Sequence, residues 1–193
     1  MRTITAIENV TLDGVMQAPG RPEEDERGGF THGGWGAAIA RDPEIQARMG
    51  EGMGKPGSLL LGRRTYEDFY GFWPHQKDNP FTPVLNARRK YVASRTLREP
   101  LPWENSTLLP GDAADAVAAM KKEDGDDLLI LGSGELVRSL ARRGLVDRYT
   151  LLIFPIVLGG GQRLFDDGVA ARLRLTESLT GSSGVILATY ARD

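Results

Sequence analysis

Apolar residues along the chain fall into two kinds of run. Leu59 to Leu61 and Leu128 to Leu131 are short and unbroken, which suits strands buried on both faces of a sheet, since a strand with one wet face alternates. Leu136, Val137 and Leu140 instead recur at helical spacing, with Arg138, Arg142 and Arg143 on other faces and Gly144 placed to cap the helix in a left-handed conformation. The first strand is predicted over Thr3 to Val10, followed by the long loop "DGVMQAPGRPEEDERGGFTHGGWG". A helix over Asp42 to Gly50, with Pro43 in its first turn, leads to a strand over Ser58 to Leu61 and a helix containing Tyr66, Phe69 and Tyr70. A short helix around Phe81 to Ala87 precedes the strand in "RKYVASRTL", which ends in Ser94, Arg95 and Thr96. An alanine-rich helix over Asp112 to Glu123 comes next, then the strand and helix around Leu128 to Gly144, and a long strand in "DRYTLLIFPIVLGGGQRLF". The apolar stretch Arg148 to Val157 is expected at a sheet edge. The final "RLRLTESLTGSSGVILATYARD" reads as two strands joined by a Gly-Ser turn. Strands alternating with helices and then a closing hairpin predict an α/β fold, mostly parallel with an antiparallel edge.

Small and cationic residues gather where the strands end. Gly62-Arg63-Arg64-Thr65, Ser94-Arg95-Thr96 and Gly132-Ser133-Gly134 each follow an apolar strand. Ligands of parallel α/β sheets bind beyond the carboxyl ends of the strands, so the three motifs are expected on one side of the molecule. A glycine turn at a helix N-terminus leaves backbone N–H groups open to an anion, and arginines with hydroxyls suit a further phosphate, which favours NADP over NAD. Singly, each motif is equally a turn with a serine N-cap or a solvated surface charge. Other phosphate and nucleophile signatures are missing: the third glycine of G-x-G-x-x-G is absent, "GMGKP" lacks P-loop spacing, and no serine sits in a nucleophile elbow.

Composition narrows the classes. A chain of 193 residues with 40% hydrophobic residues suffices for one packed domain, residues 1–193, and is short for two. A net charge of −2 without a basic run argues against nucleic-acid binding. No signal peptide or membrane-length apolar stretch occurs, so a soluble, cytoplasmic protein without membrane partners is expected. The absence of cysteine excludes disulfides and thiol nucleophiles, and two histidines, His32 and His75, leave little for a metal site.

"LLLGRRTYEDF", "KYVASRTL", "LLILGSGELVRSL" and "LVDRYTLLIFPIVLGGGQRLF", together with the opening "TLDGVMQAPG", resemble the dihydrofolate-reductase superfamily, in the branch containing the reductase domain of the riboflavin-biosynthesis deaminase-reductase. The resemblance covers nearly the whole chain. It implies a three-layer α/β fold, a homodimer and NADPH as cofactor. By it, Gly62, Arg63, Arg64 and Thr65 hold cofactor phosphates, Ser94 and Arg95 flank the 2′-phosphate, and Gly132, Ser133, Gly134 and Glu135 receive the pyrophosphate. No deaminase zinc motif is present, so the companion activity is expected to be absent.

A nicotinamide reductase must also set a flat substrate against the cofactor and exclude water. Phe30 and Trp35 in the long loop, Tyr66, Trp73 and Phe154 are candidate walls, with core packing the competing role for Tyr66 and Phe154 and loop stapling that for Trp73. Pro22 to Gly29 is expected as a disordered insertion. Asp13 in "LDG" is the candidate catalytic carboxylate, or an ordinary turn aspartate. Lys55 and Arg163 could clamp a substrate phosphate or simply face solvent. Asp42 and Glu44, at the polar start of the first helix, give no clear match to the inward acid of dihydrofolate reductase, which favours a pyrimidine over dihydrofolate. The readings carried forward are an NADPH-dependent reductase of a small pyrimidine- or pterin-like heterocycle, best exemplified by 5-amino-6-(5-phosphoribosylamino)uracil reduction, with dihydrofolate reduction or a non-catalytic nucleotide-binding dimer as alternatives.

Overall fold

A computed structural model describes the backbone of residues 1–193 and every side chain except those of residues 38–40. Strands β1 (Ile4–Thr11), β2 (Ser58–Gly62), β3 (Lys90–Ala93), β4 (Ser106–Leu108), β5 (Leu128–Leu131), β6 (Arg148–Phe154), β7 (Leu173–Thr180) and β8 (Ile186–Arg192) form one sheet in the order β4-β3-β2-β5-β1-β6-β8-β7. The six strands from β4 to β6 are mutually parallel, and β8 pairs antiparallel with both β6 and β7. Helices α1 (Pro43–Gly54), α2 (Arg63–Phe72), α3 (Phe81–Ala87), α4 (Ala113–Lys122) and α5 (Gly134–Arg142) cover the two faces. Among the described residues no helix is long and apolar enough to cross a membrane.

The unbroken apolar runs are explained by burial on both sides. Leu60, Leu128 and Ile130 pack with Val117 of α4 and Val137 and Leu140 of α5, whereas Leu59 and Leu61 pack with Tyr66 of α2 and Leu85 of α3. A third cluster joins Ile45 of α1 to Leu152 and Phe154 of β6 and Leu187 of β8. The result is three layers with a mostly parallel sheet in the middle, closed by the β7–β8 hairpin. Asp42, fully buried, fixes α1 to that hairpin: its carboxylate accepts from the Ile45 N–H at the helix start and from the Ser183 N–H and hydroxyl, at 2.9 and 2.7 Å.

Three expectations need correction. The stretch Arg148 to Val157 is not at an edge: β6 ends at Phe154 and lies between β1 and β8, because the C-terminal hairpin adds two strands outside it. Pro22 to Gly29 is a folded loop, since Gln17 Nε2 donates to the carbonyls of Asp25 and Arg27, Glu24 accepts from the Gly20 and Arg21 N–H groups, and Arg21 pairs with Asp68 of α2. Tyr66 is not a substrate wall. Its side chain is 1% exposed, its ring packs beside Trp103, and its hydroxyl accepts from the Trp103 N–H at 3.0 Å.

The Tyr66 contact generates a stability prediction. Replacing Tyr66 by Phe strands the buried Trp103 N–H and is expected to cost about 1–3 kcal/mol in urea unfolding. An unchanged stability would return the hydroxyl to a functional role.

Candidate active site

Parallel pairing of β2 with β3 and with β5 puts their carboxyl ends side by side. Gly62 closes β2 and its N–H donates to Ser133 Oγ, just beyond β5, at 3.0 Å. Gly132 (φ +62°) and Ser133 (φ +62°) are both left-handed, a conformation that costs an L side chain about 1–2 kcal/mol. Glycine relieves that cost at the first position, where a Cβ would come into ordinary contact with Thr65 at 3.4 Å. The Ser133 side chain is therefore not the helix cap that its position suggests. α5 begins with no side-chain cap, its first helical bond running from the Val137 N–H to the Ser133 carbonyl at 3.0 Å. The preceding N–H groups of the first turn have no intrahelical acceptor, the condition under which a helix start holds an anion.

The cationic candidates surround this turn. Arg64 Nη1 lies 2.8 Å and Arg27 Nη1 3.3 Å from Glu135 Oε1, so the Glu135 carboxylate holds two arginines from two other segments. Only its backbone N–H is left to face a phosphate. Arg63 pairs along its own helix with Glu67 at 2.8 Å. On the next strand out, the N–H groups of Thr96 and Leu97 donate to Ser94 Oγ, so the serine shapes a turn from which Arg95 projects exposed, with no polar partner among the described residues. Gly62, Arg63, Arg64, Thr65, Gly132, Ser133, Gly134 and Glu135 are thus brought together, with Ser94 and Arg95 beside them.

The proposed substrate groups fare differently. Phe154 is 1% exposed and meets Trp35 edge-on at 5.1 Å, and Phe30 is buried with Val15 and Ala18. The loop aromatics point inward because burial of their rings is what anchors the loop, so neither Phe30 nor Phe154 offers a face to a ligand. Trp35 is half-buried, and its indole N–H donates to the Gln17 carbonyl at 2.7 Å. Trp73 packs against Phe69 and Phe72, as a loop staple would. Lys55 lies past the end of α1, at the opposite pole of the sheet, where its carbonyl accepts from Arg88.

Asp13 sits at the carboxyl end of β1 and works as a bracket. Thr11 Oγ1 donates to it at 2.6 Å, and the Gly159 and Leu158 N–H groups donate to it at 2.8 and 3.3 Å, while Arg163 Nε donates to its backbone carbonyl. These donors, led by Thr11, hold its carboxyl down at about 2, which favours the ionised form at neutral pH. The glycine run is a close-approach surface: a Cβ on Gly161 (φ +113°) would stand 2.7 Å from the Phe30 ring. Sequence reasoning missed a second carboxyl, Glu8, which is 2% exposed in the middle of β1 with Oε1 unpartnered. Burial drives its pKa well above the ordinary range, against the opposing charge of Arg138. The signal was available, because Glu8 occupies the inward register of Ile4, Ala6 and Val10.

The two carboxyls predict pH effects of opposite sign. Asp13 titrates lower folded than unfolded, so its contribution is complete above its ordinary value of 3.8 and disappears as pH falls toward about 2. The stability advantage of the native chain over Asp13→Asn should shrink across that interval. Glu8 titrates higher folded than unfolded, so the native chain should lose stability relative to Glu8→Gln as pH rises above the ordinary value of 4.5. Parallel pH profiles for either pair would show that the carboxyl is not in the environment described.

Comparison with known proteins agrees with this architecture. The sequence profile of the RibD C-terminal domain matches residues 2–187. The YyaP protein of Bacillus subtilis (strain 168), itself uncharacterized, is 33% identical over 141 residues, covering 69% of this chain and 72% of YyaP. Among solved structures, a protein of Shewanella sp. PV-4 ascribed to riboflavin biosynthesis superposes with a TM-score of 0.66 at 21% identity, over 100% of this chain and 99% of its own. Dihydrofolate reductase from Enterococcus faecalis, complexed with NADP(H) and RAB-propyl, superposes with a TM-score of 0.63 at 14% identity, over 99% and 96%. With one sheet, one set of strand-end turns and a family match spanning almost its full length, the chain belongs to the RibD C-terminal domain family and has the dihydrofolate-reductase-like fold.

Proposed function

We propose that this protein is an NADPH-dependent reductase of a pyrimidine-like heterocycle, of the type that reduces 5-amino-6-(5-phosphoribosylamino)uracil in riboflavin synthesis. The observation that carries the reading is the contact of two phosphate-friendly turns on adjacent strands, Gly62–Thr65 and Gly132–Glu135, joined through the Gly62 N–H and Ser133 Oγ. The residues fit a dinucleotide: an uncapped helix start with no Cβ at Gly132, and an unpaired arginine one strand further out. In this reading the α5 N–H groups with Arg64 hold the pyrophosphate, and Arg95 with the Ser94–Thr96 turn holds the 2′-phosphate. When bound, the nicotinamide supplies the hydride.

The chain's own residues then orient and enclose. Asp13, favoured in its ionised form, fixes the Gly159–Gly161 loop against Phe30 and so closes one side of the site. Ile7 of β1, Met49 of α1 and Trp35, all partly buried, pack against the cluster of Ile45, Leu152, Phe154 and Leu187, and in this reading they supply the apolar wall for a planar ring. Asp42 is committed to Ser183 and Glu44 is exposed, so no acid of the first helix is free to face a pterin, which disfavours dihydrofolate as substrate. The burial of Phe30, Tyr66 and Phe154 favours the second reading, a nucleotide-binding protein without turnover. Either reading carries a homodimer and a cytoplasmic location. The free edge available for pairing on the hairpin side is β7, where Leu175 is half exposed.

Titration with NADPH and NADH, followed by quenching of tryptophan fluorescence, tests the proposal. The native chain should prefer NADPH, and Arg95→Ala should weaken NADPH roughly 10- to 100-fold, the value of a charge-assisted phosphate contact, with little change for NADH. Binding of neither nucleotide would reduce the strand-end motifs to turns. Binding without aminouracil-dependent NADPH oxidation would select the non-catalytic reading.

A further inference from the structure

The pole of the sheet opposite the candidate site holds a cavity of about 570 Å³ at the beginnings of β2, β3 and β4. That is within the range of small-molecule pockets. Its lining includes Arg2, Arg88, Arg89, Tyr91, Ser106 and Asp126. Arg2 and Arg88 are each only 9% exposed, and each is anchored at one end of its guanidinium. Arg2 Nη2 donates to the Asp124 carbonyl at 3.2 Å, and Arg88 Nη2 donates to the carbonyls of Met53 and Lys55 at 2.6 and 2.7 Å. At the other end Arg2 Nε and Arg88 Nη1 have no hydrogen-bond partner, and neither does Ser106 Oγ. Three of the four buried, unpartnered side-chain atoms found among the described residues therefore belong to residues lining one cavity; the atoms themselves are covered, Arg2 Nε lying against Gly125 and Arg88 Nη1 against Gly57, so a ligand reaches them by rotation of the side chains.

A buried cationic N–H left without an acceptor costs the full desolvation of that group, so such groups are normally paired. No carboxylate forms an ion pair with Arg2, Arg88 or Arg89 among the described residues; Asp126 accepts instead from the Ser58 hydroxyl at 3.4 Å, and the side chain of Asp124 is fully solvated. Burial holds the Arg88 guanidinium below its ordinary pKa against the more distant charge of Asp126. Arg2 stacks over the Tyr91 ring at 5.9 Å and Arg89 donates to the Tyr91 hydroxyl at 3.4 Å, which fixes the third cation beside the first. Forked guanidinium donors match an oxyanion, while Ser106 and the Asp126 carboxylate suit the hydroxyls of the same molecule.

We propose that this cavity is a second ligand site, for a small hydroxylated molecule carrying one phosphate or carboxylate, bound by Arg2, Arg88 and Arg89. It is separate from the strand-end turns and does not depend on the reductase reading.

Amide spectra of the ¹⁵N-labelled native chain, titrated with glycerol 3-phosphate and with glycerate against sodium chloride at matched ionic strength, test the site. Saturable shifts of Gly57, Ser106 and Gly125 are expected. A response to glycerol 3-phosphate alone assigns a phosphate ligand, and one to glycerate alone assigns a carboxylate. Arg89→Gln, an exposed position, and Arg2→Gln should each weaken the response about tenfold or more, whereas Arg95→Ala should leave it intact. Arg88 is retained because it also holds the Met53 and Lys55 carbonyls. Three results would overturn the site: shifts confined to Gly132–Glu135, equal shifts with chloride, or shifts that follow protein concentration instead of ligand, which would make the cavity a self-association surface.

Discussion

The pairing of β2 with β5 is the constraint on which the rest of the structure depends. Both strands are four or five residues long and apolar on both faces, so neither is stable except in the middle of a sheet with helices on either side. Their parallel register aligns Ser58 with Leu128 and Leu59 with Leu129. Once that register is set, both chains leave the sheet at the same level and both turn into helices, α2 and α5. The Gly62 N–H then has no strand partner on that side and is taken by Ser133 Oγ. A serine that would ordinarily cap its own helix is drawn across to the neighbouring strand, and the helix start remains open. The anion-binding character of the turn is thus a consequence of sheet packing.

Charge organises the loops around that turn. Glu135 joins Arg64 from α2 to Arg27 from the long loop, and Asp13 joins the end of β1 to the glycine run after β6. The two carboxylates differ in kind. Glu135 is exposed, and its ion pairs are of the type that contributes at most about 1 kcal/mol and exchanges readily with solvent, so its arginines can be redirected to a phosphate at little cost. Asp13 is saturated with hydrogen bonds and holds one geometry. The site therefore combines a replaceable anion at the helix start with a permanent one at the loop anchor.

Much of this was legible in the chain. The strand-end positions of Gly62, Ser94 and Gly132 follow from apolar runs that stop abruptly at small residues, a local signal that survives into the fold. The helix with Asp42 and Pro43 at its start was readable for the same reason, since capping is decided within one turn. The aromatic side chains were not legible. Tyr66 follows the motif residues closely enough to look like part of the site, yet helical geometry turns it inward to meet Trp103, a residue 37 positions away. Trp35 and Phe154 likewise meet each other because a loop folds back over β6. Strand β4 is only three residues long, with a polar first residue, too little for periodicity to register.

By itself the sequence determined the order of the helices and of every strand but β4, the class of the fold and the chemistry available at each strand end, because these depend on side-chain periodicity and on residues within a turn of one another. Tertiary structure decided what each polar group does. Whether Asp13 moves a proton or brackets a loop depends on N–H groups about 145 residues away. Whether Glu8 is ionised depends on the helix laid over it, and whether Arg2 and Arg88 are solvated charges or the lining of a cavity depends on three strand beginnings meeting at one pole. Desolvation and hydrogen-bond partnership are properties of the assembled neighbourhood, and only packing specifies them.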